Sequence, residues 1–388
     1  MKKTLCALAV LGSFAATSLA ADVTLYGIVD EGLLYTSIDK DNGAGHTDKF
    51  ELKSGLQGSS RFGLKGVEDI GNGVKVGFVL ENGFTADDGV LAGSKTNTLF
   101  DREASLYVEG AWGKLAAGKI GAINQGTSSW AKLGQLSAFG TSFGDYTTQA
   151  GSSFAKGAVY NNMIAYASPK FAGVQILAQY GMNNSGTNDD NTSSNDRYYA
   201  IGATYNAGPL ALYAAVDSTN YQTANYDKDS AYRGKESKID DSLTVTFGGN
   251  YDFGVTRLYA GVQYFEDVKL SSVGSLKALV ATGASSDDPL KGYAVSVSAK
   301  TPVVGGDLMV GVSYIDAETT DAAKALFGSE YDVSRIGVSA AYSYPLSKRS
   351  SIYGLAGYWR DSYDFAGSTK KDADPDSIAV GVGFRTTF

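Results

Sequence analysis

Few side chains in this 388-residue chain could do covalent chemistry: it has one histidine, His46, and one cysteine, Cys6. Hydrolytic chemistry on a barrel or any other scaffold generally needs a histidine oriented by a carboxylate. His46 lies in the polar stretch 41–48 with no recognisable motif around it. Beyond Cys6 no thiolate exists to act as nucleophile or metal ligand, and acidic stretches such as Asp189-Asp190 and 372–376 read as solvated loop charge. No cofactor, metal or catalytic residue is therefore assigned. What the charged residues do have is a period. Across residues 60–84, Arg61, Lys65, Lys75 and Glu81 take odd positions, whereas Phe62, Leu64, Val74, Val76, Phe78, Leu80 and Phe84 take even ones. Fixed charges in such a row act electrostatically, attracting or repelling mobile ions.

A period of two belongs to β-strands, and strands must position these residues. The same alternation recurs in Leu243, Val245 and Phe247, in Ile336, Val338 and Ala340, and in Val380, Val382 and Phe384. From Ala21 onward the chain reads as sixteen strands of roughly ten residues. They cover 23–38, 50–68, 74–84, 102–110, 114–120, 159–167, 174–180, 198–206, 210–217, 242–251, 257–265, 292–300, 308–315, 335–344, 352–360 and 377–388. Seven short turns alternate with eight longer connections, which places both termini on the short-turn side. If the even residues of the 60–84 hairpin share one face, paired residues share parity. That excludes a two-residue Asn72-Gly73 turn without a bulge; a turn centred on Gly71 sets Arg61 opposite Glu81, or two positions from it.

A soluble sandwich alternates too, with its apolar faces meeting in a core. Other features favour a closed sheet whose apolar face meets lipid. Met1-Lys2-Lys3, the uncharged run 4–17 and Ser18-Leu19-Ala20 have the form of an export signal over residues 1–20, leaving Cys6 outside the mature protein. The 48 glycines disfavour long helices, and 25 tyrosines against 3 tryptophans suit strands crossing a membrane interface. Removing Lys2 and Lys3 from the 33 basic residues leaves 31 against 41 acidic ones, so nucleic acid is not an expected partner. Backbone groups in lipid need a helix or a closed barrel. Residues 21–388 are expected to form one such domain.

The stretches "DVTLYGIVDEG", "SSRFGLKGVEDIGNG", "FDREASLYVEG" leading to "WGKLAAGK", "YASPKFAG" and the terminal "VGFRTTF" together resemble the Gram-negative general porin family, in its β-proteobacterial and neisserial branch. The resemblance runs through the whole mature chain. It implies an all-β, transmembrane 16-stranded antiparallel β-barrel with an inward-folded third long loop, here Gly121 to Gly157. It further implies a homotrimer in the outer membrane, in contact with lipid and lipopolysaccharide, passing small hydrophilic solutes and ions by passive diffusion. Family members set acids on that loop across from basic residues on the wall. By this analogy the pore-constriction residues are Arg61, Lys65, Arg102 and Lys119, with Asp145 of "FGDY" as the loop acid. Arg61 and Lys65 point inward by parity; Arg102 shares parity with the outward Leu106 and Val108, so its inward placement rests on the analogy or a bulge. Val159 stands where relatives often carry arginine, leaving the basic row one member short. Phe388 resembles the C-terminal signal read by the barrel assembly machinery. The rival reading is an outer membrane barrel acting mainly as an adhesin or structural protein.

Overall fold

The computed structural model describes residues 23–41, 45–93, 98–147, 150–182, 196–221, 240–282, 284–366 and 372–388. The export signal proposed for residues 1–20, Cys6 and Asp189-Asp190 lie outside them. The strands are β1 Thr24–Asp39, β2 His46–Ser54, β3 Arg61–Gly71, β4 Val74–Gly83, β5 Glu103–Gly110, β6 Gly113–Gly121, β7 Val159–Ala167, β8 Val174–Gly181, β9 Arg197–Ala207, β10 Leu210–Asn220, β11 Leu243–Asp252, β12 Arg257–Lys269, β13 Pro289–Val303, β14 Gly306–Thr319, β15 Tyr331–Pro345, β16 Ser350–Phe365 and β17 Asp376–Thr387. Consecutive strands other than β2 and β3 pair antiparallel, and β17 pairs with β1, so the sheet closes. β2 and β3 lie end to end along β1, against Glu31–Asp39 and Thr24–Ile28 respectively. Together they form one stave, and the barrel has sixteen.

That split corrects the reading of 50–68 as one uninterrupted strand. Residues 55–60, "GLQGSS", leave the ladder because Asp30 holds them. Its carboxylate accepts hydrogen bonds from the backbone N–H of Gln57 (3.3 Å) and Gly58 (3.0 Å) and from the Tyr353 hydroxyl (2.6 Å). Ser60 exchanges hydrogen bonds of 3.1 Å with the Asp30 backbone. A fully buried carboxylate would be costly if unmet; here three donors compensate it.

The β3–β4 register is the shifted alternative. Arg61 faces Gly83, and Glu81 faces Gly63, two positions from the Arg61–Glu81 pairing. The turn is Asn72-Gly73, both residues left-handed (φ 54° and 72°), with a bulge between Asp69 and Gly71. A two-residue turn of that conformation matches the twist of a hairpin, and the bulge restores the shared parity of β3 and β4.

One face of the wall is apolar throughout: Leu106, Val245, Phe247, Ile336, Val338, Val380, Val382 and Phe384 are all exposed, Phe247 by 53% and Val382 by 57%. Such a band would aggregate in water, and lipid accommodates it. At the seam, Phe388 and Gly27 exchange backbone hydrogen bonds of 3.1 Å. The Phe388 ring lies over Gly27, where a Cβ would sit 2.3 Å from Cζ and 2.7 Å from the Arg61 carbonyl oxygen, a backbone atom that cannot give way.

Candidate functional site

Four of the five expected site residues lie on the stretch β3 to β6. Glu81 gathers two of them: Arg102 Nε is 2.6 Å from Oε1 and Arg61 Nε 3.5 Å from Oε2, while the Tyr26 hydroxyl donates to Oε2 at 3.0 Å. Arg102 reaches this face because it precedes β5, which begins at Glu103. Outside the pleat, its backbone N–H bonds to the Glu81 carbonyl, and strand parity no longer dictates its direction. Lys65 stands one step further along β3 with its ammonium 5.2 Å from the Tyr26 ring centroid. Lys119 sits at the register shift between Gly118 and Ile120 and donates to Asn161 Oδ1 at 3.0 Å. Val159 opens β7 opposite Gly121.

Asp145 is not beside them. It lies in the 3-10 turn Gly144–Tyr146, facing Gly274: a Cβ built there would be 2.8 Å from Asp145 Oδ1 and 3.4 Å from Lys156 Nζ.

The segment between β6 and β7 is fastened along much of its length to the face opposite the apolar band. At its start, Gln179 of β8 accepts from Ile123 N at 2.8 Å and donates to the Gly121 carbonyl at 3.0 Å. Asn124 donates to Asp217 and Thr244, and its Oδ1 accepts from the Tyr213 hydroxyl at 2.6 Å. Glu103, 2% exposed, accepts from Ser105 Oγ (2.9 Å), Ser128 Oγ (3.2 Å), Ser129 N (2.9 Å) and Ser129 Oγ (2.9 Å). Trp130 then comes within 5.6 Å of Lys114, which adjoins the short turn at the far end of β6. Burial lowers the pKa of the Lys132 ammonium, and the charges of Lys114 and Lys170 push the same way.

Further on, Leu136 is buried against Gly248 and Gly261, and Ala138 N donates to Ser298 Oγ at 2.9 Å. Phe139 and Phe143 make an edge-on pair, Phe143 stands edge-on to Tyr353 at 5.6 Å, and Phe143 N donates to the Gln57 carbonyl at 2.9 Å. The apex thus docks on the 55–60 excursion, in an apolar cluster with Leu34, Leu56, Met309 and Leu355.

A second segment, between β12 and β13, packs on the first. Leu270, Val273, Leu276 and Leu279 are fully buried. Val273 bridges to Ala155, and Lys156 N donates to the Ser272 carbonyl at 3.1 Å.

Sequence reasoning missed the anchors Asp30, Glu103 and Asp217, which are buried by folding partners distant in sequence. It also missed the 270–288 segment. The glycine and serine of "SGLQGSS" are a signal that could have marked the break in the second stave.

A family model described as Gram-negative porin matches residues 7–364. The chain belongs to the Gram-negative porin family. An outer membrane porin protein of Bordetella pertussis is 30% identical, with both chains covered in full. Outer membrane porin protein 32 of Delftia acidovorans is 28% identical over 91% of this chain and 88% of its own. Among solved structures, the anion-selective porin from Comamonas acidovorans superposes with a TM-score of 0.65 at 22% identity, covering 95% of this chain and all of the other. Family and closed sixteen-stave barrel together place this porin in the outer membrane, where it forms a water-filled channel for passive diffusion of small hydrophilic solutes and ions. His46, at the start of β2, lies beside Asp48 and Ser37 on an exposed strand end.

Proposed function

We propose that the segment between β6 and β7 lies inside the barrel and narrows it, with Arg61, Lys65, Arg102 and Lys119 on the wall and Asp145 on the segment setting the field at the constriction. The observation that carries this reading is the position of Trp130. A segment that leaves β6 at Gly121 and meets Lys114 at the other end of the same strand runs back along the wall. Its partners Glu103, Gln179, Gly248, Gly261 and Ser298 alternate with the outward Leu106, Val245, Phe247, Val262 and Val297, so the face it follows is the lumen face. Charged residues lining a narrow aqueous path tune which ions pass.

The channel is read as a homotrimer whose outer surface meets outer membrane lipid and lipopolysaccharide. Phe388, exposed on the outward face of the closing seam, is read as the residue that the barrel assembly machinery recognises. No catalytic step, cofactor or metal is assigned.

The test is single-channel recording in a planar bilayer on a variant carrying Ser142→Cys, whose thiol is unique once Cys6 is removed with the leader. A charged methanethiosulfonate added to the bath is expected to lower the current in three steps, one per subunit. Unchanged current after confirmed labelling would place the apex outside the conducting path and sink the constriction reading.

A further inference from the structure

The basic wall has a member that the alternation of residues 380–385 puts on the polar face but that was not among the expected constriction residues. Arg385 of β17 is the register partner of Asp30 and alternates with the outward Val382 and Phe384, so its side chain lies on the lumen face. It is close enough to Arg61 for their charges to interact, and Arg102 acts on Arg61 in the same way. Three guanidinium groups therefore converge from β3, the residue before β5, and β17.

The carboxylates in reach do not balance them. Glu81 is shared between Arg61 and Arg102 and takes the Tyr26 hydroxyl as well. Asp30, directly across the ladder from Arg385, attracts it as a charge but bonds its own oxygens to Gln57 N, Gly58 N and the Tyr353 hydroxyl, so two carboxylates face three guanidinium groups. No ion pair among the described residues engages Arg385, and its Nε is buried without a hydrogen-bond partner. The bare backbone of Gly58 lies near the guanidinium: a Cβ there would be 3.9 Å from Cζ. The apex of the β6–β7 segment reaches the same place, since Phe143 N bonds to the carbonyl of neighbouring Gln57.

We propose that Arg385 is a specificity-determining residue of the channel, a guanidinium without a bonded carboxylate beside Arg61 that gives small oxyanions such as inorganic phosphate a transient docking point in the lumen. Arginine suits this role because its planar fork meets two oxygens of an oxyanion at once. The proposal deepens the constriction reading and rests on it.

The experiment measures reversal potential under a KCl gradient, and inhibition of chloride current by inorganic phosphate, for the whole protein and five variants. Arg385→Gln is expected to reduce the anion-to-cation permeability ratio roughly two- to fivefold, the effect of one unit charge at close range in screened water, and to weaken phosphate inhibition. Arg385→Lys is expected to keep the ratio and lose part of the phosphate inhibition. Gly58→Asp sets a carboxylate against the guanidinium without touching Arg385, and is expected to reproduce the Arg385→Gln shift if that variant fails to assemble. Arg257→Gln, at an exposed pair with Asp252 beside a short turn, serves as the control and is expected to match wild type. If Arg385→Gln and Gly58→Asp both leave reversal potential and phosphate inhibition unchanged, Arg385 has no such role. A shift in Arg61→Ala in the same series would then leave the constriction reading standing, whereas its absence would remove both.

Discussion

Two stretches of the lumen wall solve opposite problems. From β17 through β1 to β5 the inner face carries Arg385, Arg61, Glu81 and Arg102, long charged side chains, the last three joined in one ion-pair cluster. From β10 to β13 the same face carries, beside the buried anchor Asp217, the small uncharged residues Thr244, Thr246, Gly248, Gly261 and Ser298, against which Leu136, Ala138 and Phe154 of the β6–β7 segment pack. If the segment lies in the lumen as proposed, that face is not uniformly wet: where Leu136 and Phe154 dock, small wall residues let apolar side chains approach. Leu136 fits only because Gly248 and Gly261 leave room: a Cβ at Gly261 would be 3.2 Å from Leu136 and from Phe154.

The most damaging way to blur this contrast is to release the segment. Glu103→Ala removes four hydrogen bonds to a buried carboxylate and leaves Ser129 N without its acceptor, a loss of about 3 kcal/mol in docking. The expected result is a noisier and larger single-channel conductance from a barrel that still runs as a folded species on unheated gels. A quiet trace with wild-type conductance would mean that the other anchors suffice.

Gly261→Leu attacks the same contact from the wall. Overpacking of this kind costs about 1–3 kcal/mol, and the strain is expected to lift Leu136 and Phe154 instead of breaking the β11–β12 ladder. Protease digestion of intact vesicles followed by mass spectrometry should show new cleavage between residues 130 and 147. Cleavage confined to the outer ends of β11 and β12 would show that the wall yields first.

Much of this contrast was legible beforehand and some was not, for physical reasons. The apolar band read directly from the sequence because lipid demands a side chain of one kind at every second position. The lumen face read poorly, because its occupants answer to local partners: Asp30 holds a backbone excursion, Glu103 holds a segment, and Gly261 admits a leucine. Arg102 was ambiguous by parity because the strand boundary falls immediately after it, and a one-residue boundary decides its direction. Asp145, expected as the loop acid, lies against Gly274 of the β12–β13 segment, whose buried leucines carry no strand period to announce them.

Within the charged stretch, a smaller effect is expected from Arg102→Ala. Glu81 keeps Arg61 and the Tyr26 hydroxyl, so folding is little affected, and the loss of one positive charge should move the reversal potential by a factor of roughly two in permeability ratio. The smallest effect belongs to Lys65→Ala. Lys65 is exposed, and its link to the wall is a cation–π contact with Tyr26 worth about 0.5 kcal/mol. It also lies further toward the Asn72-Gly73 turn than Arg61, away from the place where Phe143 meets Gln57. A charge matters to a passing ion in proportion to how little water lies between them, since bulk water and salt screen the rest. Lys65→Ala should therefore shift the reversal potential much less than Arg102→Ala, although each removes one positive charge from the same face. Equal shifts would mean that selectivity follows the summed charge of the bore, and the docked apex would then narrow the path without choosing what passes through it.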